Sequence, residues 1–201
     1  LLGSGVFALA PSDSLVFDAV FQAYREDEKP LRPDIAAELA ARRDFVRRQI
    51  DAKLILETPD PVIDTEFRFA KLRAAESIIR TRGGYMHAPG GESYYAAIWA
   101  NDQAEYVNPF FPFLGYGVGN ASALNSFRHF ARFMNSGYRP LPSSIIAEGS
   151  DIWNGAGDRG DAAMIACGAA RYALARGDRA EAEELWPLIE WCLEYCRRRL
   201  T

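Results

Sequence analysis

From residue 62 onward, segments with helical periodicity are joined alternately by a long loop and a short turn. The long loops are 83–101 and 136–160, and the short turns centre on 115–119 and on 177–178. Helices joined by short turns run antiparallel, so both long loops are expected at the same end of a helical array. Long ordered loops on a rigid scaffold are where sites are built, so this end is the predicted functional end.

Apolar residues recur at helical spacing along most of the chain, which predicts an all-α protein. Pro33 suits the first turn of a helix, and Pro187 is expected to kink or divide the last one. The almost uncharged segment 161–176 is expected to be an inner helix that is buried on all sides. The predicted helices are 12–25, 33–56, 62–82, 102–115, 120–135, 161–176 and 179–200.

Composition narrows the class of protein. The chain has 201 residues, of which 49% are hydrophobic, enough for a globular core. A net charge of −4 argues against nucleic-acid binding, and no apolar run approaches the ~20 residues of a membrane span. Three cysteines exclude a disulfide framework, and two histidines are too few to support a metal site. We therefore predict no metal and no cofactor, and Cys192 and Cys196 are expected to be core thiols.

The chain starts without an initiator methionine and without the basic start of a signal peptide. Residues 1–61 are therefore expected to be a linker with helices that follows a preceding domain, and 62–201 the main domain. Cytoplasm is favoured over periplasm as the location.

The first long loop ends in a group of aromatic and polar residues. Trp99, Asn101, Asp102 and Gln103 place an indole ring next to an acid and amides. An aromatic face stacks on the apolar face of a sugar, while polar groups at its edge discriminate between hydroxyls. Asp102 opens a predicted helix, so a simple helix cap is the alternative interpretation.

The second long loop repeats this composition. It carries Trp153, Asp158 and Arg159, and Asp161 stands at the start of the next predicted helix. A capping role for Asp161 is slightly favoured over sugar binding. For Asp158 and Arg159, an ion pair that holds the loop together is an alternative of equal weight to sugar binding. The glycines of this loop lack the Lys-Ser/Thr ending of a phosphate-binding loop.

The two histidines are interpreted as structural. His87, in the first long loop, is expected to be a satisfied loop residue, with binding of a sugar hydroxyl as the alternative. His129 lies in the middle of a predicted helix and is expected to support the fold.

Three stretches together resemble the six-hairpin, (α/α)6-barrel glycosidases, a group that includes glucoamylase-like, trehalase-like and amylo-α-1,6-glucosidase-like enzymes. They are Ile98–Asp102, the run from Trp153 to Ala163, and Leu185–Cys192. The resemblance covers roughly residues 62–201 and implies helical hairpins that form the first part of an (α/α)6 toroid, about five of its helices. The remainder of the barrel and a preceding domain would then be its partners.

The resemblance also implies a function, hydrolysis of an oligosaccharide, most plainly an α-glucoside, by acid–base chemistry with inversion. Enzymes of this group often carry Trp-x-Arg-Asp before the second barrel helix, where the Asp holds hydroxyls of the sugar. Trp99 and Asp102 match that pattern, whereas Asn101 replaces the Arg. The general acid and base would fall beyond Thr201, with Asp102 as the acid a minority alternative.

Two other functions remain open on the sequence. A sugar epimerase or polysaccharide lyase on the same toroid would use a Tyr/His pair such as Tyr85 and His87. A non-catalytic carbohydrate-binding helical module is the third alternative.

Overall fold

The computed structural model describes residues 6–24, 26–51, 53–88, 97–146 and 160–200. The chain divides into two compact units, Leu1–Phe45 and Val46–Thr201. The elements in chain order are α1 (Ile35–Asp51), α2 (Pro61–Glu76), β1 (Ile78–Thr81), β2 (Gly84–His87), β3 (Ala97–Trp99), a π-helix (Asp102–Val107), α3 (Phe111–Leu114), α4 (Gly117–Ala131), β4 (Ser144–Ile146), α5 (Asp161–Arg176) and α6 (Arg179–Arg199). The described part is helix-rich with short strands, which agrees loosely with an all-α class.

The first unit contains a segment without regular secondary structure where the sequence predicted a helix. Residues 12–24 form no helix, so that prediction is wrong. A turn precedes the segment, in which the Asp13 backbone N–H donates to the Ala10 carbonyl at 3.0 Å. The Gln22 side chain then bonds both backbone groups of Leu31, donating to its carbonyl at 2.8 Å and accepting from its N–H at 3.0 Å. The Gln22 side chain thus ties this segment to Leu31 in place of a helix.

A buried lysine holds the C-terminal end of α1. The Nζ of Lys71, on α2, donates to the carbonyls of Ile50, Lys53 and Leu54 at 2.7, 2.9 and 3.2 Å. The last carbonyls of a helix lack partners within it, and a cation there also meets the negative end of the helix dipole. Lys71 is 0% exposed, and its burial lowers the pKa of the ammonium. α1 therefore ends at Asp51, short of the predicted residue 56.

A β-hairpin replaces the last part of the predicted helix 62–82. α2 ends at Glu76. β1 and β2 then pair antiparallel, with Ile78 opposite His87 at one end of the hairpin and Thr81 opposite Gly84 at the other. Gly84 has φ +99, a left-handed conformation that suits glycine at a tight turn. The Asn125 side chain on α4 donates to the carbonyls of Gly83 and Tyr85 at 2.7 and 3.0 Å. These two hydrogen bonds attach the β1–β2 hairpin to α4 through the side-chain amide of Asn125.

α5 and α6 form an antiparallel hairpin with the predicted boundaries. Asp178 caps α6, since its carboxylate accepts from the N–H groups of Ala180 and Glu181. Pro187 does not divide α6, which runs as one helix to Arg199. The prediction that α5 is buried on all sides is wrong, because Leu174 is 83% exposed. Ala163, Cys167 and Arg171 are exposed as well, so α5 has a solvent-facing side.

The core of the second unit lies between α4, α5, α6 and the segments of the two long loops. The Tyr172 hydroxyl on α5 donates to Glu181 on α6 at 2.8 Å, and Arg128 on α4 makes two hydrogen bonds to Glu184. Trp191 stacks between Tyr138 and Tyr195 with ring centroids 5.3 and 5.6 Å away. These contacts join the helices into the scaffold that carries the loops. No described helix is long and apolar enough to span a bilayer.

Candidate functional site

The two long loops meet in a two-stranded antiparallel sheet. β3 ends the first loop and β4 lies within the second. Ala97 pairs with Ile146, Ile98 with Ile145, and Trp99 with Ser144. The Ala100 N–H extends the ladder by donating to the Ser143 carbonyl at 2.8 Å. This pairing agrees with the prediction that both long loops lie at the same end of the helical array.

The two faces of the β3–β4 sheet have different surroundings. Side chains alternate between the faces of a strand, so Ile98 and Ile145 share one face and Trp99 and Ser144 the other. Both isoleucines are 0% exposed and belong to the core. Trp99 is half-buried, whereas Ser144 is 1% exposed. The sheet therefore anchors the loops by one face and presents Trp99 on the other.

Asp102 begins the π-helix three residues after Trp99. The preceding residue, Asn101, is exposed, has helical backbone angles, and makes no side-chain capping hydrogen bond. Helical backbone already starts at Ala100, so the prediction that Asp102 caps the helix is wrong. Short π-helical segments occur frequently at functional sites. The capping role no longer competes with a binding role for Asp102.

The environment of Asp102 disfavours its charged form. Burial, and then the neighbouring carboxylate of Glu105, raise the pKa of Asp102 above its usual value. A half-buried carboxylate has lost part of its hydration, so it gains more from a hydroxyl donor than an exposed carboxylate does.

Gln103 is locked by one hydrogen bond and has one unused group. Its side chain is 0% exposed, and Nε2 donates to the backbone carbonyl of His87 at 2.7 Å. The same nitrogen lies 3.5 Å from His87 Nδ1. Within the part of the chain that the structure describes, Gln103 Oε1 is buried without a hydrogen-bond partner. Gln103 thus ties the π-helix to β2, rather than standing at an open edge of the loop.

His87 lies at the end of β2 and is buried, not exposed in an open loop. Its ring meets the ring of Phe111 edge-on, with centroids 6.0 Å apart. Burial lowers the pKa of His87 to about 4, so the imidazole is neutral at neutral pH. A buried neutral imidazole in an aromatic contact is a packing group, which favours the structural interpretation of His87 over hydroxyl binding.

His129 supports the hairpin from α4, which confirms the structural role expected for it. Its Nε2 lies 3.0 Å from the Gly83 carbonyl, and its Nδ1 lies 3.4 Å from Arg132 Nη1. The carbonyl requires a proton on Nε2 and the arginine requires a lone pair on Nδ1, so this geometry assigns the neutral ring. Burial and Arg132 lower the pKa of His129 accordingly.

Of the predicted residues in the second loop, only Asp161 lies in the described part. Asp161 is the first residue of α5 and is 6% exposed. Gly160, not Asp161, occupies the capping position, so the capping prediction for Asp161 is wrong. Trp153, Asp158 and Arg159 lie outside the described residues, and their predicted roles stay predictions.

The three cysteines lie on α5 and α6, outside the two long loops. Cys192 is buried and Cys196 is half-buried, as expected of core thiols, while Cys167 is exposed. Among the described residues, no group of three or more His, Cys, Asp or Glu side chains is arranged to hold a metal ion.

Ser144 lies opposite Trp99 in this sheet, and no sequence pattern marked it. Its Oγ is buried and has no hydrogen-bond partner within the described ranges. The segment Leu141–Ile146 shows neither a glycine-rich nor an acidic pattern. Only the strand register places this hydroxyl opposite Trp99.

Comparisons with known proteins gave no relative for this chain. A scan of protein-family models and searches of curated proteins and of solved structures found no match.

Proposed function

We propose that this chain belongs to a glycoside hydrolase of the (α/α)6-toroid type, acts on an oligosaccharide such as an α-glucoside, and supplies sugar-binding loops. One observation carries the proposal: the β3–β4 ladder joins the two long loops, and the half-buried Asp102 follows the half-buried Trp99 of β3 by three residues in the chain. An indole ring and a partly desolvated carboxylate so close along the chain suit a ligand that has apolar C–H faces and a rim of hydroxyls. The α5–α6 hairpin is the kind of unit from which such a toroid is built.

In this proposal Trp99 stacks on a sugar ring and Asp102 accepts hydrogen bonds from its hydroxyls. Gln103 supports the position of Asp102, because its hydrogen bond to the His87 carbonyl holds the start of the π-helix in place. Trp153, Asp158, Arg159 and Asp161 are proposed to complete the sugar site from the second loop. Asn101, exposed at the start of the helix, is a further contact at the rim.

The reaction itself needs two carboxyl groups on opposite sides of the scissile bond. One protonates the leaving oxygen while the other activates water, and inversion requires carboxyls roughly 6.5–9.5 Å apart. Asp102 is assigned to substrate holding, and its raised pKa keeps the acid role as the minority alternative.

The test is the turnover of α-linked oligosaccharides by the complete protein that contains this chain. We expect Asp102→Asn to lower kcat/KM at least about 100-fold, since it removes a preorganised contact to the reacting sugar. Glu190→Gln, an exposed carboxyl change on α6, is the control and should leave turnover unchanged. Near-normal turnover by Asp102→Asn would overturn the assignment.

The same assay separates the alternatives from other classes. A lyase would release an unsaturated product from uronate polymers, detected by ultraviolet absorbance, and an epimerase would convert a free sugar without cleavage. The burial of His87 argues against its use as the lyase base. Glycan binding without any turnover would identify a carbohydrate-binding module.

A further inference from the structure

A stack of aromatic rings holds two arginines of α6 at the surface. Trp191 lies between Tyr138 and Tyr195, and its ring is inclined to theirs by only 14° and 15°. The guanidinium of Arg198 lies over the Tyr138 ring at 3.9 Å from its centroid, and that of Arg199 lies over the Tyr195 ring at 5.1 Å. Both arginines are exposed, so these cation–π contacts hold their guanidinium groups where a ligand can reach them from solvent.

A tight turn places a third arginine, Arg139, beside this stack. The Asn135 side chain donates to the Arg139 carbonyl at 3.1 Å and accepts from the Arg139 N–H at 2.8 Å. The Asn135 carbonyl accepts from Trp191 Nε1 at 2.9 Å, which ties the turn to α6. Tyr138 has φ +48, a left-handed conformation that a residue other than glycine keeps only where its surroundings hold it. Arg139 follows Tyr138 directly and is exposed.

The arginine surface consists of Arg139, Arg197, Arg198 and Arg199, and its positive charge exceeds its negative charge. Glu194 pairs with Arg197 at 2.6 Å and with Arg198 at 2.7 Å. Within the described ranges, neither Arg139 nor Arg199 forms an ion pair. Cations at the end of a helix complement its dipole, which accounts for the arginines of α6 but not for Arg139, because Arg139 belongs to a loop. In a chain of net charge −4, this local excess of positive charge fits an anionic partner.

The arginine surface lies at the end of the helices that carries the two long loops. α6 runs antiparallel to α5, and α5 begins where the second loop ends, so the C-terminal end of α6 is at the loop end. Arg139 precedes Ser144 by five residues, and Ser144 pairs with Trp99. Consecutive Cα atoms are about 3.8 Å apart, so those of Arg139 and Ser144 are at most about 19 Å apart. The arginine surface is therefore close enough to contact further sugars of an oligosaccharide that stacks on Trp99.

We propose that the arginine surface binds carboxylates of an acidic oligosaccharide, so that the glycan recognised by this protein contains uronic acids besides the sugar that stacks on Trp99. This inference rests on the proposed function, since it names the substrate class of the same site. A guanidinium has a planar fork of N–H donors that matches the two oxygens of a carboxylate, and it stays charged at any physiological pH. The position beside the proposed sugar site favours a glycan over an acidic peptide, which is the competing partner.

The test is titration calorimetry of the complete protein that contains this chain with two α-linked glycans of equal length, hexagalacturonate and maltohexaose. We expect tighter binding of hexagalacturonate at low salt, and a loss of this preference as sodium chloride is added, because salt screens exposed charges. Arg139→Gln and Arg199→Gln should each weaken hexagalacturonate binding about two- to fivefold, the effect of losing one exposed ion pair. Neither change should alter the affinity for maltohexaose.

Arg179→Gln is the matched control, because it removes an arginine from the opposite end of α6, where the side chain is 91% exposed. It should bind both glycans like the wild type. Hexaglutamate carries the same number of side-chain carboxylates on a peptide, and it should bind more weakly than hexagalacturonate. Thermal melts of the three variants should agree with that of the wild type, since all the replaced side chains are exposed.

The possible failures distinguish this inference from the proposed function. Equal affinities for maltohexaose and hexagalacturonate, or Arg139→Gln and Arg199→Gln variants that bind hexagalacturonate as Arg179→Gln does, would overturn the arginine surface and leave the sugar site standing. Hexaglutamate that binds as tightly as hexagalacturonate would assign the surface to an acidic peptide and overturn the glycan. Wild-type protein that binds neither glycan would overturn the sugar site and this inference with it.

Discussion

Gly168 of α5 faces the backbone of Ala104 in the π-helix so closely that no side chain fits between them. A Cβ atom built on Gly168 would overlap the backbone carbonyl of Ala104. The two segments therefore pack with their backbones in direct contact. Since Asp102 and Gln103 belong to the same π-helix, α5 sets the position of both.

Gly168→Ala is expected to destabilise the protein by about 1–3 kcal/mol, the usual cost of overpacking a tight contact. The added methyl must push α5 and the π-helix apart. Chemical denaturation measures the loss, and amide hydrogen exchange should increase in residues 102–107. Gly117→Ala is the control, since its Cβ would meet nothing within 4 Å, and equal stabilities of the two variants would contradict the prediction.

Lys71→Met is expected to lower the free energy of unfolding by about 2–3 kcal/mol. Methionine fills similar space but leaves the carbonyls at the end of α1 without the donors that Nζ supplies. Urea denaturation provides the measurement. Arg68→Met removes an exposed cation from the same helix and should change stability by less than about 0.5 kcal/mol. A Lys71 variant as stable as the Arg68 variant would sink the capping role.

The pKa of His87 predicts how stability depends on pH. The folded value of about 4 lies below the ordinary value of 6.5, so the unfolded chain binds the proton first. Stability should be level above pH ~7 and fall as the pH drops from about 6.5 toward 4, by about 3 kcal/mol from this group. His129, whose pKa is also lowered, adds to the same slope.

His87→Gln isolates the contribution of that ring to the pH slope. Denaturation curves at several pH values between 5 and 7 should show a smaller slope for the variant, because only the His129 contribution remains. Asp102 has the opposite effect on stability at acidic pH. Because its pKa is raised in the folded state, the folded protein binds this proton before the unfolded chain does, and protonation there adds stability. Identical slopes for wild type and variant would show that His87 does not titrate as its burial requires.

Glu105→Gln is expected to lower the pKa of Asp102. Glu105 is the second cause of the raised value, and the first, burial, stays in place, so the pKa should move only part of the way back to its usual value. Carbon NMR of the labelled carboxyl group follows the titration directly. Glu183→Gln, an exposed change on α6, should leave the curve where it is, and an unchanged curve in Glu105→Gln would refute the coupling.

Helices with strong local signals were predictable from the sequence. The bounds of α5 and of α6 agree with prediction within a residue, because Gly177 and Asp178 mark the turn between them plainly. The helix predicted for residues 12–25 is absent from residues 12–24, although apolar residues recur there. Hydrophobic periodicity shows which face of a helix would be apolar, and it does not by itself make a segment helical.

The strands and the site depend on long-range pairing that no local pattern records. β3 and β4 have three residues each, too few for an alternating signal to stand out, and they meet across more than forty intervening residues. The prediction that Trp99 and Asp102 bind a sugar rests on the local sequence alone. The pairing of Trp99 with Ser144 exists only in the register, so no local pattern could indicate it.

The isoleucines of the β3–β4 sheet have a consequence for how the protein can change. Sliding one strand by a single residue would turn Trp99 or Ser144 to the face that Ile98 and Ile145 now occupy and lift Ile98 or Ile145 out of the core, so the core holds the alignment. Trp99, the side chain proposed to meet ligand, is thereby aligned by isoleucines on the opposite face of the sheet. A substitution at position 99 should therefore leave the pairing of the two loops in place.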